Sequence, residues 1–101
     1  MEADISEIIL PEMVCIDLRA NLIATLDIQQ DLNGKKPALF QLEIWTNNDM
    51  LGAVDKVIAA DPAFQARMRD KNQEQGVRNE VYKALKEKCP GVKALLAKAK
   101  P

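Results

Sequence analysis

The sequence predicts an α+β fold, in which an N-terminal antiparallel β-hairpin or three-stranded meander packs against three to four C-terminal helices. Residues 14–28 alternate between apolar and polar side chains, which is typical of a strand. From residue 47 the apolar side chains recur every three or four positions, as in an amphipathic helix. We therefore expect one domain over residues 1–101, with a β-rich part at 13–46 and a helical part at 48–99.

The alternating segment is regular over its whole length. Its even-numbered residues are all apolar: Val14, Ile16, Leu18, Ala20, Leu22, Ala24, Leu26 and Ile28. Five of the seven odd-numbered residues between them are polar, so a strand here would have one apolar face. Strands of this length are unusual. A three-residue loop at residues 19–21 that divides the segment into two strands is therefore an open alternative.

A second strand is expected at residues 40–46. Asn33-Gly34 is typical of a hairpin turn, and the alternation resumes after Pro37. The register that avoids facing carboxylates pairs Ile23 with Trp45 on the more polar face of the hairpin. Exposed together, these two side chains would form a contact patch for another protein.

Helix signals divide the rest of the chain. One of the polar residues 47–49 is expected to cap a helix whose apolar stripe is Leu51, Val54, Val57 and Ile58. Asp61-Pro62 combines an N-cap residue with a proline at the first helical position, so it predicts the start of the next helix. Gly76 is expected to break or bend that helix, and Cys89-Pro90-Gly91 to end it before a short last helix.

Composition narrows the class of protein. The chain of 101 residues is 48% hydrophobic and 29% charged, which excludes a disordered chain, and no apolar run is long enough to span a membrane. The first four residues, Met-Glu-Ala-Asp, include two acidic residues and no basic one, unlike the basic start of a signal peptide. We therefore expect a cytoplasmic protein of bacterial or phage origin.

Cys15 and Cys89 are expected to be buried reduced thiols, with a disulfide or redox role as the alternative.

The sequence lacks the residues that several common kinds of catalysis require. The chain has no histidine and neither of the glycine-rich phosphate-binding motifs. Asp17, Asp27, Asp31 and Glu43 could share the polar face of the hairpin and hold Mg²⁺. Nucleases of the restriction-enzyme type have the pattern Glu-x-Lys on the neighbouring strand. Here Glu43 is followed by Ile44-Trp45, so the lysine of that pattern is missing. We therefore predict no enzymatic activity, no cofactor and no metal.

Charge is unevenly distributed along the chain. Residues 1–62 contain eleven acidic and four basic residues, whereas residues 63–101 contain four and ten. Arg67, Lys71 and Arg78 would share one face of a continuous helix and could contact nucleic acid. Interleaved glutamates favour an ordinary solvated surface instead.

These observations predict a small non-enzymatic cytosolic protein that acts by protein–protein binding, as an assembly factor, regulator or inhibitor. We expect it to be a homodimer, with Ile23 and Trp45 at the contact. The alternative is a nucleic-acid-binding regulator that uses Arg67, Lys71 and Arg78.

Overall fold

The computed structural model describes residues 8–27 and 39–99, and these residues form five helices. The helices are α1 (Glu12–Asp27), α2 (Leu39–Ala60), α3 (Pro62–Met68), α4 (Lys71–Lys88) and α5 (Val92–Lys98). No strand occurs within the two described ranges. The prediction of an α+β fold with an N-terminal hairpin is therefore wrong, and the fold is all-α. The expected turn at Asn33-Gly34 lies outside the described residues.

The alternating segment is helical because its apolar residues form two separate stripes. Leu18, Leu22 and Leu26 recur every four residues and are buried, whereas Ile16 and Ala20 recur at the same interval and are exposed. Two residues turn an α-helix through about 200°, so consecutive even-numbered residues lie on opposite sides of α1. Two apolar stripes offset by two residues therefore reproduce the alternation of a strand.

Helix α2 begins well before the predicted cap. Its buried stripe starts at Leu42 and runs through the middle and second half of the helix: Thr46, Met50, Ala53, Val54, Val57 and Ile58. The polar residues 47–49 lie inside the helix, so the predicted cap there is wrong. Two of them bind neighbouring helices: Asp49 accepts a hydrogen bond of 2.6 Å from the hydroxyl of Thr25 in α1, and Asn47 accepts one of 3.2 Å from Tyr82 in α4.

The helix starts and stops in the second half of the chain follow local capping chemistry. The side chain of Asp61 accepts hydrogen bonds from the backbone N–H groups of Ala63 and Phe64, which confirms the predicted start of α3. Asp70 caps α4 in the same way. The chain therefore breaks at residues 69–70, and α4 continues through Gly76, where a break or bend was expected. Helix α4 ends at Lys88 with Cys89 as its C-cap, which confirms the predicted stop at Cys89-Pro90-Gly91.

The connection from α4 to α5 depends on one glycine. Gly91 has a φ of +82°, a left-handed conformation that residues with a Cβ adopt only at a cost. A Cβ placed there would lie 3.5 Å from Cδ of Arg19, an ordinary contact distance. The requirement for glycine is therefore conformational.

A single large apolar cluster joins all five helices. Its fully buried members include Leu18 and Leu22 from α1, Met50 and Val54 from α2, and Leu85 from α4. Helix α1 packs against α2 and α5, while α4 packs against α2, α3 and α5. None of the helices in the described residues has the length and apolar composition needed to cross a membrane.

A disulfide closes the chain over most of its length. Cys15 in α1 is bonded to Cys89 at the end of α4, with the two Cα atoms 5.3 Å apart. The expectation of two reduced thiols is therefore wrong, and the alternative of a disulfide holds. Beside this bond, the ammonium group of Lys88 donates a 2.6 Å hydrogen bond to the backbone carbonyl of Ile8. The N-terminal end of α1 is thus attached to the junction of α4 and α5.

Candidate functional site

Helix α1 has a second apolar face that no described residue of the chain covers completely. Met13 is 62% exposed, and Ile16 and Ile23 are each 45% exposed. Ala20 is exposed between them. We call these four residues, Met13, Ile16, Ala20 and Ile23, the outer seam. They lie opposite the leucines that pack into the core, so α1 is apolar on both sides.

The spacing of the outer seam is that of a helix–helix contact. Its members follow one another at intervals of three, four and three residues, which is the a/d spacing of a coiled coil. At 1.5 Å per residue, the seam extends over about 15 Å. Charged residues surround the seam: Asp17 lines a cleft with Lys56, Arg19 lies over Gly91, and Glu12 and Asp27 are exposed within one helical turn of its two ends. The four side chains of the seam itself are uncharged.

The structure does not bring Ile23 and Trp45 onto one face. Trp45 is half-buried in α2, packs with Leu26 and Leu42, and lines a shallow, open depression beside Thr25. Thr25 is two residues from Ile23 and so lies on the opposite side of α1. The pairing expected from a hairpin is therefore absent, and Ile23 belongs to the outer seam without Trp45.

The three basic residues considered for nucleic acid lie on α3 and α4. Arg67 makes a two-point ion pair with Glu80, at 2.7 and 3.1 Å. The hydrogen bond to this carboxylate raises the pKa of the Arg67 guanidinium above its usual value. Arg78 pairs with Asp55 at 2.7 Å and approaches Glu74. Both guanidinium groups are therefore already bound to carboxylates, whereas Lys71 is exposed in the first turn of α4.

The carboxylates considered for Mg²⁺ do not share a face. Asp17 and Asp27 lie on α1 and Glu43 on α2, while Asp31 is outside the described residues. Within residues 8–27 and 39–99, no three side chains of the metal-binding types are grouped closely enough to hold a metal ion.

Sequence reasoning identified one of the four outer-seam residues. The signal for Met13, Ile16 and Ala20 was present in their three- and four-residue spacing. It was hidden because the even-numbered members also fit the alternation that was assigned to a strand. Comparison of the chain with protein-family models, with curated proteins and with solved structures gives no match.

Proposed function

We propose that this chain is a small non-enzymatic protein that acts by binding protein through the outer seam of α1, and that the partner is a second copy of the chain. The observation that supports this proposal is the exposure of four apolar side chains at coiled-coil spacing. Apolar side chains exposed in a continuous row leave water in contact with apolar surface at a cost in free energy, and such rows are typical of contact sites.

The outer seam complements itself when one copy is reversed. In an antiparallel pair related by a two-fold axis, Ile16 of one copy faces Ala20 of the second, and Met13 faces Ile23. A large side chain then meets a small one in the middle of the seam, which allows the two helices to approach closely. The antiparallel arrangement also places opposite ends of the helix dipoles together.

The expected dimer is weak and reversible. A seam of about 15 Å buries less surface than the roughly 1,600 Å² of a standard protein interface. We therefore expect dissociation in the micromolar range or above, so that a change in concentration shifts the equilibrium. Because the seam is uncharged, the association should change little with salt, in contrast to binding of nucleic acid.

Sedimentation equilibrium tests the proposal. Ile16→Glu and Ile23→Glu place a charge in the seam and are expected to abolish the dimer that the wild type forms. Leu51→Glu is the matched control, because Leu51 is also an exposed apolar residue but lies on α2. It should leave the dimer intact. A wild type that stays monomeric at every concentration, or a dimer that survives both seam variants, would refute the proposal.

The cytoplasmic location expected from the sequence is part of the proposal, and the disulfide sets a condition on it. Disulfides persist in oxidising compartments and are mostly transient in the cytosol. In the cytoplasm, the pair Cys15 and Cys89 should therefore be reduced for part of the time. Alkylation of free thiols at the moment of lysis measures this fraction. A pair that is always oxidised would contradict a cytoplasmic location.

A further inference from the structure

Two polar contacts join helices α2 and α4, and a third pair of residues lies one helical turn further along. Asp55 of α2 pairs with Arg78 of α4 at 2.7 Å. Further along, Asn47 accepts a hydrogen bond from Tyr82 at 3.2 Å. Residue numbers fall along α2 as they rise along α4, so the two helices are antiparallel. One helical turn beyond Asn47 and Tyr82, Glu43 of α2 lies opposite Lys86 of α4. Their opposite charges are suited to a third contact between the two helices.

A cavity lies at this third position. Its volume is about 360 Å³, and both Glu43 and Lys86 line it. The described residues include no ion pair for either side chain. Leu96 and Ile44 supply apolar surface in the same cavity. Small-molecule sites have volumes of about 300–1,000 Å³ and combine an apolar lining with a few convergent polar groups.

We propose that this cavity binds a small zwitterion of the amino-acid type. Its ammonium group would meet the carboxylate of Glu43, its carboxylate would meet the ammonium of Lys86, and its apolar body would lie against Leu96 and Ile44. Opposite charges on two walls select a ligand that carries both charges. Asn47 supports this assignment, because its oxygen already accepts from Tyr82 and its amide N–H groups remain as donors toward a carboxylate.

This cavity lies on α2, α4 and α5 and is independent of the function proposed for α1. The first test is a titration of the isotopically labelled full chain with leucine, monitored by NMR. N-acetyl-leucine lacks the cation and leucinamide lacks the anion, so each removes one of the two expected contacts. We expect leucine to shift the amide signals of residues 43–47 and 82–86 saturably, and each analogue to bind at least about tenfold more weakly.

Variants assign the two charges. Glu43→Gln and Lys86→Met should each weaken leucine binding by about tenfold or more. Glu87→Gln and Lys83→Met are matched controls, because they remove one negative and one positive charge from α4 outside the cavity. Both should bind leucine as the wild type does. Circular dichroism of all four variants checks that they are folded.

Two results would overturn the inference: no saturable shift with any of the three ligands, or equal leucine binding by the wild type and by both cavity variants. Ile16→Glu, which tests the outer seam, should bind leucine like the wild type. Failure of either proposal therefore leaves the other intact.

Discussion

Reduction of the bond between Cys15 and Cys89 is expected to remove a large part of the stability of the fold. The bonded residues are 74 positions apart in the sequence. A cross-link over a loop of this length restricts the unfolded chain and contributes about 4 kcal/mol at 25 °C in the chain-entropy description. Small proteins have a total free energy of unfolding of about 5–15 kcal/mol. The reduced protein should thus be folded but only marginally stable.

Urea unfolding followed by far-ultraviolet circular dichroism, with and without a thiol-free reductant, measures the effect. The midpoint should fall on reduction. Because 1 kcal/mol shifts the melting temperature of a chain of this size by about 4–8 °C, the thermal midpoint should fall by roughly 20 °C. The urea slope should rise, since the reduced unfolded chain exposes more surface. Cys15→Ser is the control, and its stability should be low and independent of reductant.

The reasoning is refuted if oxidised and reduced protein unfold with free energies that agree within about 1 kcal/mol, because a bond over this loop cannot then be restricting the unfolded chain. Detection of two free thiols in the oxidised folded protein would refute it as well.

Three further predictions concern single side chains. Thr25→Val should lower the free energy of unfolding by about 1–2 kcal/mol, measured by urea unfolding, because Asp49 loses a hydrogen-bond donor at a part-buried site. Gly91→Ala should lower the free energy of unfolding by about 1–2 kcal/mol, because alanine adopts the left-handed backbone conformation only at a cost. Gly76→Ala should raise the free energy of unfolding, because Gly76 lies inside α4 with open space around it. Burial, and secondarily the charge of Glu43, raise the pKa of Tyr82. The unfolded chain therefore loses this proton first, and stability should fall as the pH rises above about 10; Tyr82→Phe should show a shallower fall in the same titration.

The second half of the chain was the most predictable part, because its signals are local. Asp61 and Pro62 start a helix by capping and by a preset φ, and both effects act within one turn. The buried face of α4 has an equally local pattern, since Val77, Val81 and Leu85 recur every four residues. The error at Gly76 arose because a glycine weakens a helix without having to end it. Asp70, six residues earlier, provides the actual cap.

Two features depend on contacts between distant residues and could not be predicted from local pattern. Asn47 and Asp49 resemble cap residues in the sequence, but hydrogen bonds from Tyr82 and Thr25 satisfy them in the middle of α2. The disulfide likewise has no local signal, because its two cysteines are 74 positions apart and only the tertiary fold brings them together.

The error in α1 has a physical origin that bears on function. A helix that buries one face shows one apolar stripe, and its period is then easily recognised. Helix α1 has two apolar stripes on opposite sides, and the even-numbered residues of the exposed side, Ile16, Ala20 and Ala24, complete the period of a strand. Departures from simple sequence rules are expected where a surface serves binding rather than folding. Two of the residues that mislead the fold prediction, Ile16 and Ala20, are therefore among those that we propose to contact the partner.

Photo-crosslinking from α1 tests the proposed contact most directly. A photoreactive phenylalanine analogue in place of Ala24, which is exposed on α1 beside the outer seam, faces residue 12 of the second copy in the antiparallel register and should give a dimer crosslinked within residues 9–16. The same analogue in place of Lys71, which lies on the basic alternative surface, should give none. A dimer crosslinked from position 71 and not from position 24 would contradict the assignment of the outer seam as the protein-binding surface.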